Sequence, residues 1–410
     1  MTELSALELY NLPMGTREFA ADPYSFVEKA RKVHPWIARC EHGYCVFEYH
    51  AIRDLMSMDD KMRPSFDEVV RIMSAKGSPW GRFTDEQMIA LPEREHRLMR
   101  DTFAAKFTPR FANQMRPIMR QTMARLLDEW TPKERIDFEE FASYYPVSVL
   151  SQLVGGPLEA VPGLRKSLET FGLGMSLKPE LLPALDEAYL HIEAFCEKLI
   201  ENRRKNPGRS ETPDLLDVLI TASDEGGIST RQLTDLLVFL YVAGYDTSKN
   251  VMTYLMHTLM DLPDVYRRCA EDHEYCRKVV EEMFRYYNPG TSFRFTDAEI
   301  TYREVKVPKN TMLFFPLSIV GRDPTIYQDP HQFDPGRAID HTNRHMAFGL
   351  GKHMCLGQYI ARAQIQEGLH LLAQRMRNPR RAGKSEVRPF YGIWGYKGLP
   401  IEFSDGRSSV

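Results

Sequence analysis

Residues 348–357 (FGLGKHMCLG) place a single cysteine, Cys355, among three glycines. Glycine in an ordered loop carries an entropic cost, so it is expected where another group approaches the backbone closely. A thiolate is stabilised by backbone N–H donors and by the positive end of a helix. Since a helical pattern from Leu356 to about Met376 follows Cys355 directly, the segment predicts a thiolate positioned as a soft ligand for a metal held in a large planar group.

A second pair of residues that could take part in catalysis, Asp246-Thr247, lies within a long apolar pattern. Thr247 follows Ala243 by four residues and therefore lies on the apolar stripe, where its hydroxyl either bonds the carbonyl one turn back or turns into a pocket. Gly244 is expected to leave space for a small ligand on that face. Threonine is nonetheless ordinary in helices, and Asp246 could be a solvated charge.

The element that carries this pair is predicted to be a long central helix. Ser229-Thr-Arg-Gln232 matches a capping box, no proline follows until Pro263, and apolar residues between them recur at helical spacing. Further along the chain, Glu282 and Arg285 are three residues apart, so they lie on one helix face and can pair. Such pairs are common and carry little information alone.

The rest of the sequence predicts a mainly α protein with a minor β part. Residues 36–47 read as a hairpin, residues 62–91 as a long loop or a chain of short helices, and residues 92–260 as almost entirely helical. Strand patterns occur at 299–302, 305–307 and 312–315, and a helix pattern at about 274–287. No change of composition marks a linker, which favours one domain over residues 1–410.

The bulk composition narrows the class of protein. A net charge of −3 argues against a nucleic-acid scaffold, and the N-terminal residues fit neither a signal peptide nor a membrane anchor. We therefore expect a soluble, cytoplasmic protein. The six cysteines, at positions 40, 45, 196, 269, 276 and 355, show no C-x-x-C or zinc-ribbon spacing, so most should be small apolar core residues.

The segment F-G-x-G-x-H-x-C-x-G at 348–357 resembles the haem-binding loop of the cytochrome P-450 superfamily. A-G-x-D-T at 243–247 and E-x-x-R at 282–285 precede it in the order typical of that family, so the resemblance covers most of the chain. It implies the cytochrome P-450 fold, with the long helix over a buried haem b and Cys355 as the proximal iron ligand. It also implies that Asp246 and Thr247 are catalytic and deliver protons to bound dioxygen.

The same resemblance assigns supporting roles to other residues. Glu282 and Arg285, together with Arg337 from the segment FDPGR, are expected to form a structural network that fixes the loop carrying Cys355. The residues implied to bind the haem propionates are His96, Arg100, Arg294 and His353, each of which could equally be a surface charge. Arginine suits this task because its planar fork binds two carboxylate oxygens at once.

The substrate is implied to lie over the distal haem face against an apolar lining. The positions implied to contact it are Phe239, Val242, Ala243, Gly290, Thr291, Ile393 and Trp394, although the large apolar ones could also be core residues. This lining predicts a hydrophobic organic substrate such as a terpenoid, an aromatic compound or a steroid.

The resemblance therefore predicts a haem-thiolate monooxygenase that uses dioxygen. The sequence contains no glycine fingerprint for a flavin or nicotinamide, so electrons are expected from a ferredoxin-type donor with its NAD(P)H-dependent reductase. The alternatives are a superfamily member with peroxide-driven or non-oxygenating haem chemistry, and a haem protein that binds a ligand without turnover. The acid–alcohol pair at Asp246-Thr247 argues against both.

Overall fold

The structure is a computed structural model that describes residues 1–64, 66–206 and 214–407. Its helices are α1 (Arg17–Ala21), α2 (Pro23–Val33), α3 (Tyr49–Met56), α4 (Asp67–Ile72), α5 (Pro79–Glu86), α6 (Glu93–Phe103), α7 (Pro109–Trp130), α8 (Phe138–Val154), α9 (Val161–Phe171), α10 (Leu182–Lys205), α11 (Leu215–Asp224), α12 (Thr230–Leu259), α13 (Pro263–Glu271), α14 (His273–Tyr286), α15 (Leu317–Val320) and α16 (Gln358–Arg375). The prediction of a mainly α protein is confirmed.

The β-strands are short, and they contain fewer residues than the helices do. They are β1 (Thr2–Glu3), β2 (Ile37–Cys40), β3 (Gly43–Val46), β4 (Met62–Arg63), β5 (Arg135–Asp137), β6 (Thr291–Thr296), β7 (Ile300–Tyr302), β8 (Val305–Val307), β9 (Met312–Pro316), β10 (Met376–Arg381), β11 (Glu386–Val387), β12 (Tyr396–Lys397) and β13 (Pro400–Asp405).

The described residues group into two compact units. The first, here called the sheet unit, takes in residues 1–64, 281–355 and 387–395. The second, the helical unit, takes in residues 66–206, 214–280, 356–386 and 396–407. The prediction of one domain over residues 1–410 stays a prediction.

The sheet unit is built on a five-stranded sheet in the order β2-β3-β9-β6-β4. Strand β9 is buried at every residue, as expected for a continuous apolar run in the middle of a sheet. It pairs parallel to β3 and antiparallel to β6, which places Phe293 opposite Phe314. The predicted hairpin is confirmed, with Ile37 opposite Val46 and Cys40 opposite Gly43. A three-stranded sheet in the order β1-β8-β7 completes this unit.

The helical unit contains the predicted long helix, α12. Its first turn is closed by a capping box, in which Gln232 N–H donates to Ser229 Oγ at 3.1 Å and Ser229 N–H donates to Gln232 Oε1 at 2.8 Å. The helix runs for 30 residues and is buried over most of its length, as predicted. None of the helices in the described part of the chain is both long and apolar enough to cross a membrane.

One predicted alternative is borne out, and one part of the structure differs from the predictions. Residues 62–91 contain short helices, among them α4 and α5, which is the second of the two alternatives expected there; Ser65 lies outside the described residues. Strand β5 interrupts the stretch predicted to be helical and joins a sheet in the order β10-β13-β5, with Ile136 opposite Ile401. Three residues are too few to show an alternating pattern, so the sequence carries no signal for this strand.

A buried carboxylate connects α7 to α16 inside the helical unit. Glu367 of α16 is 1% exposed and accepts from Arg116 Nη1 and Arg120 Nη1, both at 2.7 Å. His273 Nε2 lies 3.0 Å from the same carboxylate. Burial raises the pKa of Glu367, but the hydrogen bond from Arg116 and the charges of His273, Arg120 and Arg116 outweigh burial and lower it.

We expect Glu367→Gln to lower the free energy of unfolding by about 1.5–3 kcal/mol at pH 7, since it removes charge-assisted hydrogen bonds to two arginines. Because the folded-state pKa of Glu367 is below its ordinary value of 4.5, the carboxylate's contribution is present above that value and is lost as the pH falls through the folded-state pKa. Urea unfolding of both proteins at pH 7 and again at pH 3 should therefore show the difference shrinking.

The matched control is Asp128→Asn. Asp128 lies on α7 and pairs with Arg375 and Arg407 at 3.0 Å, but its side chain is 57% exposed. Its removal should change the unfolding free energy by less than about 1 kcal/mol. Equal losses for the two variants would contradict the importance given to Glu367.

Candidate functional site

Cys355 is the one exposed cysteine of the described chain; Cys40, Cys45, Cys196, Cys269 and Cys276 are buried. Its N–H donates to the carbonyl of Phe348 at 2.8 Å, which closes the loop into a tight hairpin-like turn. Gly349 and Gly351 have φ angles of +71° and +69°, a conformation that favours glycine. The predicted helix begins at Gln358, three residues after Cys355, rather than at Leu356.

The base of this loop is attached to the N-terminal part of the sheet unit. Lys352 N–H donates to Asp59 Oδ2 at 2.8 Å, and a Cβ at position 351 would collide with the same carboxylate. The glycine at 351 is therefore required by the approach of Asp59 as well as by its backbone conformation. Sequence reasoning missed Asp59, because nothing in the residues around it marks it as a partner of the loop.

The last turns of α14 hold the start of the loop. The ring of Phe284 packs edge-on against Phe348, with centroids 4.8 Å apart, and lies 5.8 Å from the ring of His345. His345 Nε2 lies 3.0 Å from Glu281 Oε2. One helix end thus contacts two residues of the segment that leads to Cys355.

The predicted network of Glu282 and Arg285 is confirmed. Arg285 is fully buried and binds Glu282 through two parallel bonds, Nε–Oε2 at 2.8 Å and Nη2–Oε1 at 2.6 Å. Its remaining N–H groups donate to three carbonyls, those of Gly321, Pro330 and Gln332, at 2.6, 3.0 and 2.8 Å. A buried charge with every donor satisfied in this way is rigid.

Arg337 joins this network, as the sequence predicted. Its Nε lies 3.5 Å from Glu282 Oε1, which also accepts from the N–H of Asp334 at 2.8 Å. Gly321 completes the packing: a Cβ at this position would overlap the carbonyl oxygen of Arg285. The irregular segment 321–337 is therefore attached to Glu282 and Arg285 of α14 at its start and over residues 330–337.

Arg294 is a buried cation in the sheet unit. It is 6% exposed, and burial lowers its pKa to about 10. Its Nη1 donates to Ser292 Oγ and to the carbonyl of Phe293, both at 2.8 Å, and no carboxylate of the described residues forms an ion pair with it. The charge of Asp59 raises this pKa and only partly offsets burial. A buried arginine whose hydrogen bonds go to neutral acceptors is suited to binding an anion.

The other predicted cation positions lie on two elements. His353, partly buried, belongs to the Cys355 loop in the sheet unit. His96, 3% exposed, and Arg100, partly buried, lie four residues apart on one face of α6 in the helical unit. Their roles as ligands of an anionic group stay predictions.

One stripe of α12 is exposed although the helix around it is buried. Ala243 is exposed and Phe239, Val242 and Thr247 are partly so, at spacings of three and four residues. The hydroxyl of Thr247 donates to the carbonyl of Ala243 at 3.1 Å, the local bond expected for threonine in a helix. The structure thus brings these predicted residues together on one face.

Gly244 and Asp246 lie elsewhere on the same helix. A Cβ on Gly244 would come within 3.3 Å of Leu150 on α8, so this partly exposed glycine permits close helix packing; that it leaves space for a small ligand stays a prediction. Asp246 is 3% exposed, and its Oδ1 accepts from Asn250 Nδ2 at 3.0 Å. The reading of Asp246 as a solvated charge is wrong.

The remaining predicted contact residues meet in the sheet unit. Gly290 and Ile393 form an antiparallel bridge, and Thr291 N–H donates to the carbonyl of Gly392 at 3.3 Å. Trp394 is 3% exposed, donates its indole N–H to the carbonyl of Ala20 at 2.9 Å and packs against Phe390, with centroids 5.5 Å apart. This geometry gives Trp394 a packing role; its contact with a substrate stays a prediction.

Comparisons with known proteins agree with this geometry. A family model described as "Cytochrome P450" matches residues 175–379. Luteothin monooxygenase of Streptomyces thioluteus is 28% identical over 98% of each chain. The 6-deoxyerythronolide B hydroxylase of Saccharopolyspora erythraea is 30% identical over 68% of this chain and 67% of its own.

The fold is similar to that of solved structures. P450BioI, solved in complex with a hexadec-9Z-enoic acid ligated acyl carrier protein, superposes with a TM-score of 0.84 at 24% identity, covering 94% of this chain and 100% of its own. The predicted fold class is confirmed by this similarity.

Arg285→Lys tests the network within the sheet unit. Lysine keeps the charge but lacks the planar fork, so it cannot bind Glu282 bidentately and reach three carbonyls as well. We expect a loss of unfolding free energy on the order of 3 kcal/mol and faster backbone amide exchange in residues 321–337. Denaturant unfolding and hydrogen-exchange mass spectrometry provide the two measurements.

Arg380→Lys serves as the control, because Arg380 is 75% exposed and pairs with Glu402 at 2.9 Å. It should leave both quantities close to those of the parent chain. Unchanged exchange at 321–337 in Arg285→Lys would show that the segment is held by other contacts.

Proposed function

Because the chain belongs to the cytochrome P450 family and is a cytochrome P450 monooxygenase, we propose that it binds haem b through the thiolate of Cys355. It then inserts one atom of dioxygen into a hydrophobic organic substrate. The overall reaction consumes the substrate, one O2, two electrons and two protons, and it yields the hydroxylated product and one water.

The observation that carries this proposal is the exposure of Cys355. Burial raises the pKa of the thiols of Cys40, Cys45 and Cys196, which keeps them protonated and unsuited to metal binding. The thiol of Cys355, in contrast, is exposed on a loop in which Gly349 and Gly351 adopt positive φ angles. A soft anionic donor of this kind fits an iron ligand.

The buried cation of the sheet unit fits the acidic groups of the same cofactor. A haem carries two propionates, and Arg294 is a buried cation whose hydrogen bonds go to the neutral acceptors Ser292 Oγ and the carbonyl of Phe293. His353, His96 and Arg100 are proposed to bind the propionates with it. When bound, the haem supplies the iron at which dioxygen is reduced.

Asp246 and Thr247 are proposed to be the catalytic pair that moves protons. The hydroxyl of Thr247 belongs to the exposed stripe of α12, and rotation about its Cα–Cβ bond would release it from the carbonyl of Ala243. It could then donate a proton to a molecule bound against this stripe. Asp246, adjacent in sequence but directed to the buried side of the helix, would restore that proton.

The substrate is proposed to contact the residues that the family resemblance assigned to it. The residues assigned to this contact are Phe239, Val242, Ala243, Gly290, Thr291, Ile393 and Trp394. Most of them are apolar, which favours a terpenoid, aromatic or steroid-like compound. Two relatives are named as a luteothin monooxygenase and a 6-deoxyerythronolide B hydroxylase, which supports an organic substrate.

Electrons are proposed to arrive from a ferredoxin-type donor with its NAD(P)H-dependent reductase. The cytoplasmic location expected from the sequence stays a prediction.

Cys355→Ala tests the cofactor assignment. Without the thiolate, the reduced and carbon-monoxide-bound protein is expected to lose the red-shifted Soret band that a sulfur ligand imparts to haem iron. Absorption spectra of the purified proteins, recorded at equal haem content, provide the measurement. Cys196→Ala, which removes a buried thiol from α10, should keep the spectrum of the parent. If Cys355→Ala also kept it, the proposal would fail.

Thr247→Ala and Asp246→Asn test the proton-moving pair. Removing an acid or alcohol that transfers a proton costs on the order of 100-fold in the assisted step. We expect both variants to turn consumed NAD(P)H into hydrogen peroxide instead of product. The assay needs a substrate, which a spectral titration against a panel of apolar compounds would first identify.

Thr253→Ala is the matched control for this assay. Thr253 also lies on α12 and donates to a carbonyl one turn back, that of Lys249 at 2.9 Å, but it is buried. It should couple electrons to product as the parent does. Full coupling in Thr247→Ala and Asp246→Asn would exclude the pair from proton delivery.

A further inference from the structure

Lys249 is an unusual residue within the helical unit, since it is a lysine with no exposed surface. It lies on α12, three residues after Asp246. Its Nζ is 2.5 Å from Glu139 Oε1 and 3.2 Å from Asp246 Oδ1, so one ammonium group contacts two carboxylates. Removing a lysine from water completely is costly unless its charge is compensated in this way.

The two carboxylates come from different helices. Glu139 lies in the first turn of α8, where the helix dipole favours an anion, and it is 8% exposed. Asp246 belongs to α12 and accepts a further hydrogen bond from Asn250 Nδ2 at 3.0 Å. Asn250 Nδ2 also donates to the carbonyl of Asp246 at 2.8 Å. The acid is thus held toward the next turn of its own helix.

The surrounding charged and titratable groups do not replace the lysine. Tyr245 lies with its ring centroid 5.5 Å from Lys249 Nζ, and its pKa is raised by burial and by the charges of Asp246, Glu169 and Glu139, so it stays neutral. Arg165 of α9 is engaged by Glu140 and Glu169, at 3.7 and 3.5 Å. In this seam between α8, α9 and α12, Lys249 contacts Asp246 at 3.2 Å.

We propose that Lys249 is the positioning residue of the proton-donating acid, holding Asp246 as a carboxylate in one orientation by bridging it to Glu139. This inference rests on the proposed function, in which Asp246 supplies protons. In each transfer, the carboxylate of Asp246 takes up one of the protons that the overall reaction consumes and gives it up toward Thr247, after which it is again an anion paired with Lys249.

This role differs from that of a residue that only stabilises the fold. Without the ammonium, Glu139 and Asp246 would be two buried carboxylates that have lost the cation they share. Like charges so placed cannot both stay ionised, so one carboxylate would take up a proton. An Asp246 that is protonated at rest and no longer tethered would be a poor proton carrier.

The test uses the haem-loaded full-length chain with Lys249→Met, Lys249→Gln and Lys249→Arg. In the Met and Gln variants we expect an infrared band of a protonated carboxyl group at neutral pH that the parent lacks. Adding Asp246→Asn to either variant should remove this band. Lys249→Gln nearly keeps the size and polarity of the side chain, so it remains informative if Lys249→Met fails to fold.

Turnover gives the second measurement. With an identified substrate, the Met and Gln variants should release several-fold more hydrogen peroxide per NAD(P)H than the parent, as Asp246→Asn does, and Lys249→Arg should restore coupling. The control is Arg116→Met, which removes one of the two arginines that lie 2.7 Å from another buried acid, Glu367, and should couple as the parent does.

The outcomes separate this inference from the proposed function. Coupled turnover in Lys249→Met or Lys249→Gln, while Asp246→Asn is uncoupled, would overturn the role of Lys249 and leave that of Asp246 intact. A carboxyl band removed by Glu139→Gln but not by Asp246→Asn would show that the lysine serves Glu139 instead. Full coupling in Asp246→Asn would refute the proton-donating acid itself.

Discussion

The fully buried guanidinium of Arg285 imposes the strongest constraint on the sheet unit. Its charge is compensated by Glu282 one helical turn earlier, and its remaining donors are used by three backbone carbonyls from the irregular segment 321–337. A buried ion pair of this kind contributes little net stability compared with apolar packing, but breaking it is costly. It therefore selects one arrangement of a segment that has almost no regular secondary structure, and the same helix end also holds the start of the Cys355 loop through Phe284.

The sequence predicted those parts of the molecule whose signal is local. Neighbouring residues determine three such features, and the structure contains them. They are the capping box and helical spacing of α12, the hairpin of β2 and β3, and the glycine-rich turn around Cys355. The pairing of Glu282 with Arg285 follows from a spacing of three. The acceptors at Gly321, Pro330 and Gln332 could not be predicted, because a backbone carbonyl carries no mark of residue type and its partner lies far along the chain.

The surroundings of Asp246 could not be predicted from the sequence. Residues 246 and 247 are adjacent, yet one points to α8 and the other to the exposed stripe, because successive residues of a helix lie about 100° apart around its axis. Glu139, the acid across the helix interface that shares Lys249 with Asp246, is more than 100 residues away and gives no local signal. Lys249 carries a local signal that our predictions did not use: a lysine within an apolar stretch, three residues from an acid, implies a buried pair.

Arg285 recognises the segment 321–337 mainly through main-chain oxygens, and this has a consequence for how the family's sequences can vary. Side chains at positions such as Pro330 and Gln332 could be exchanged without removing the acceptor, whereas Gly321 tolerates no added carbon. Saturation libraries across this stretch should consequently yield many functional clones at the former positions and almost none at the latter. The segment would then accept many different side chains while keeping one backbone conformation.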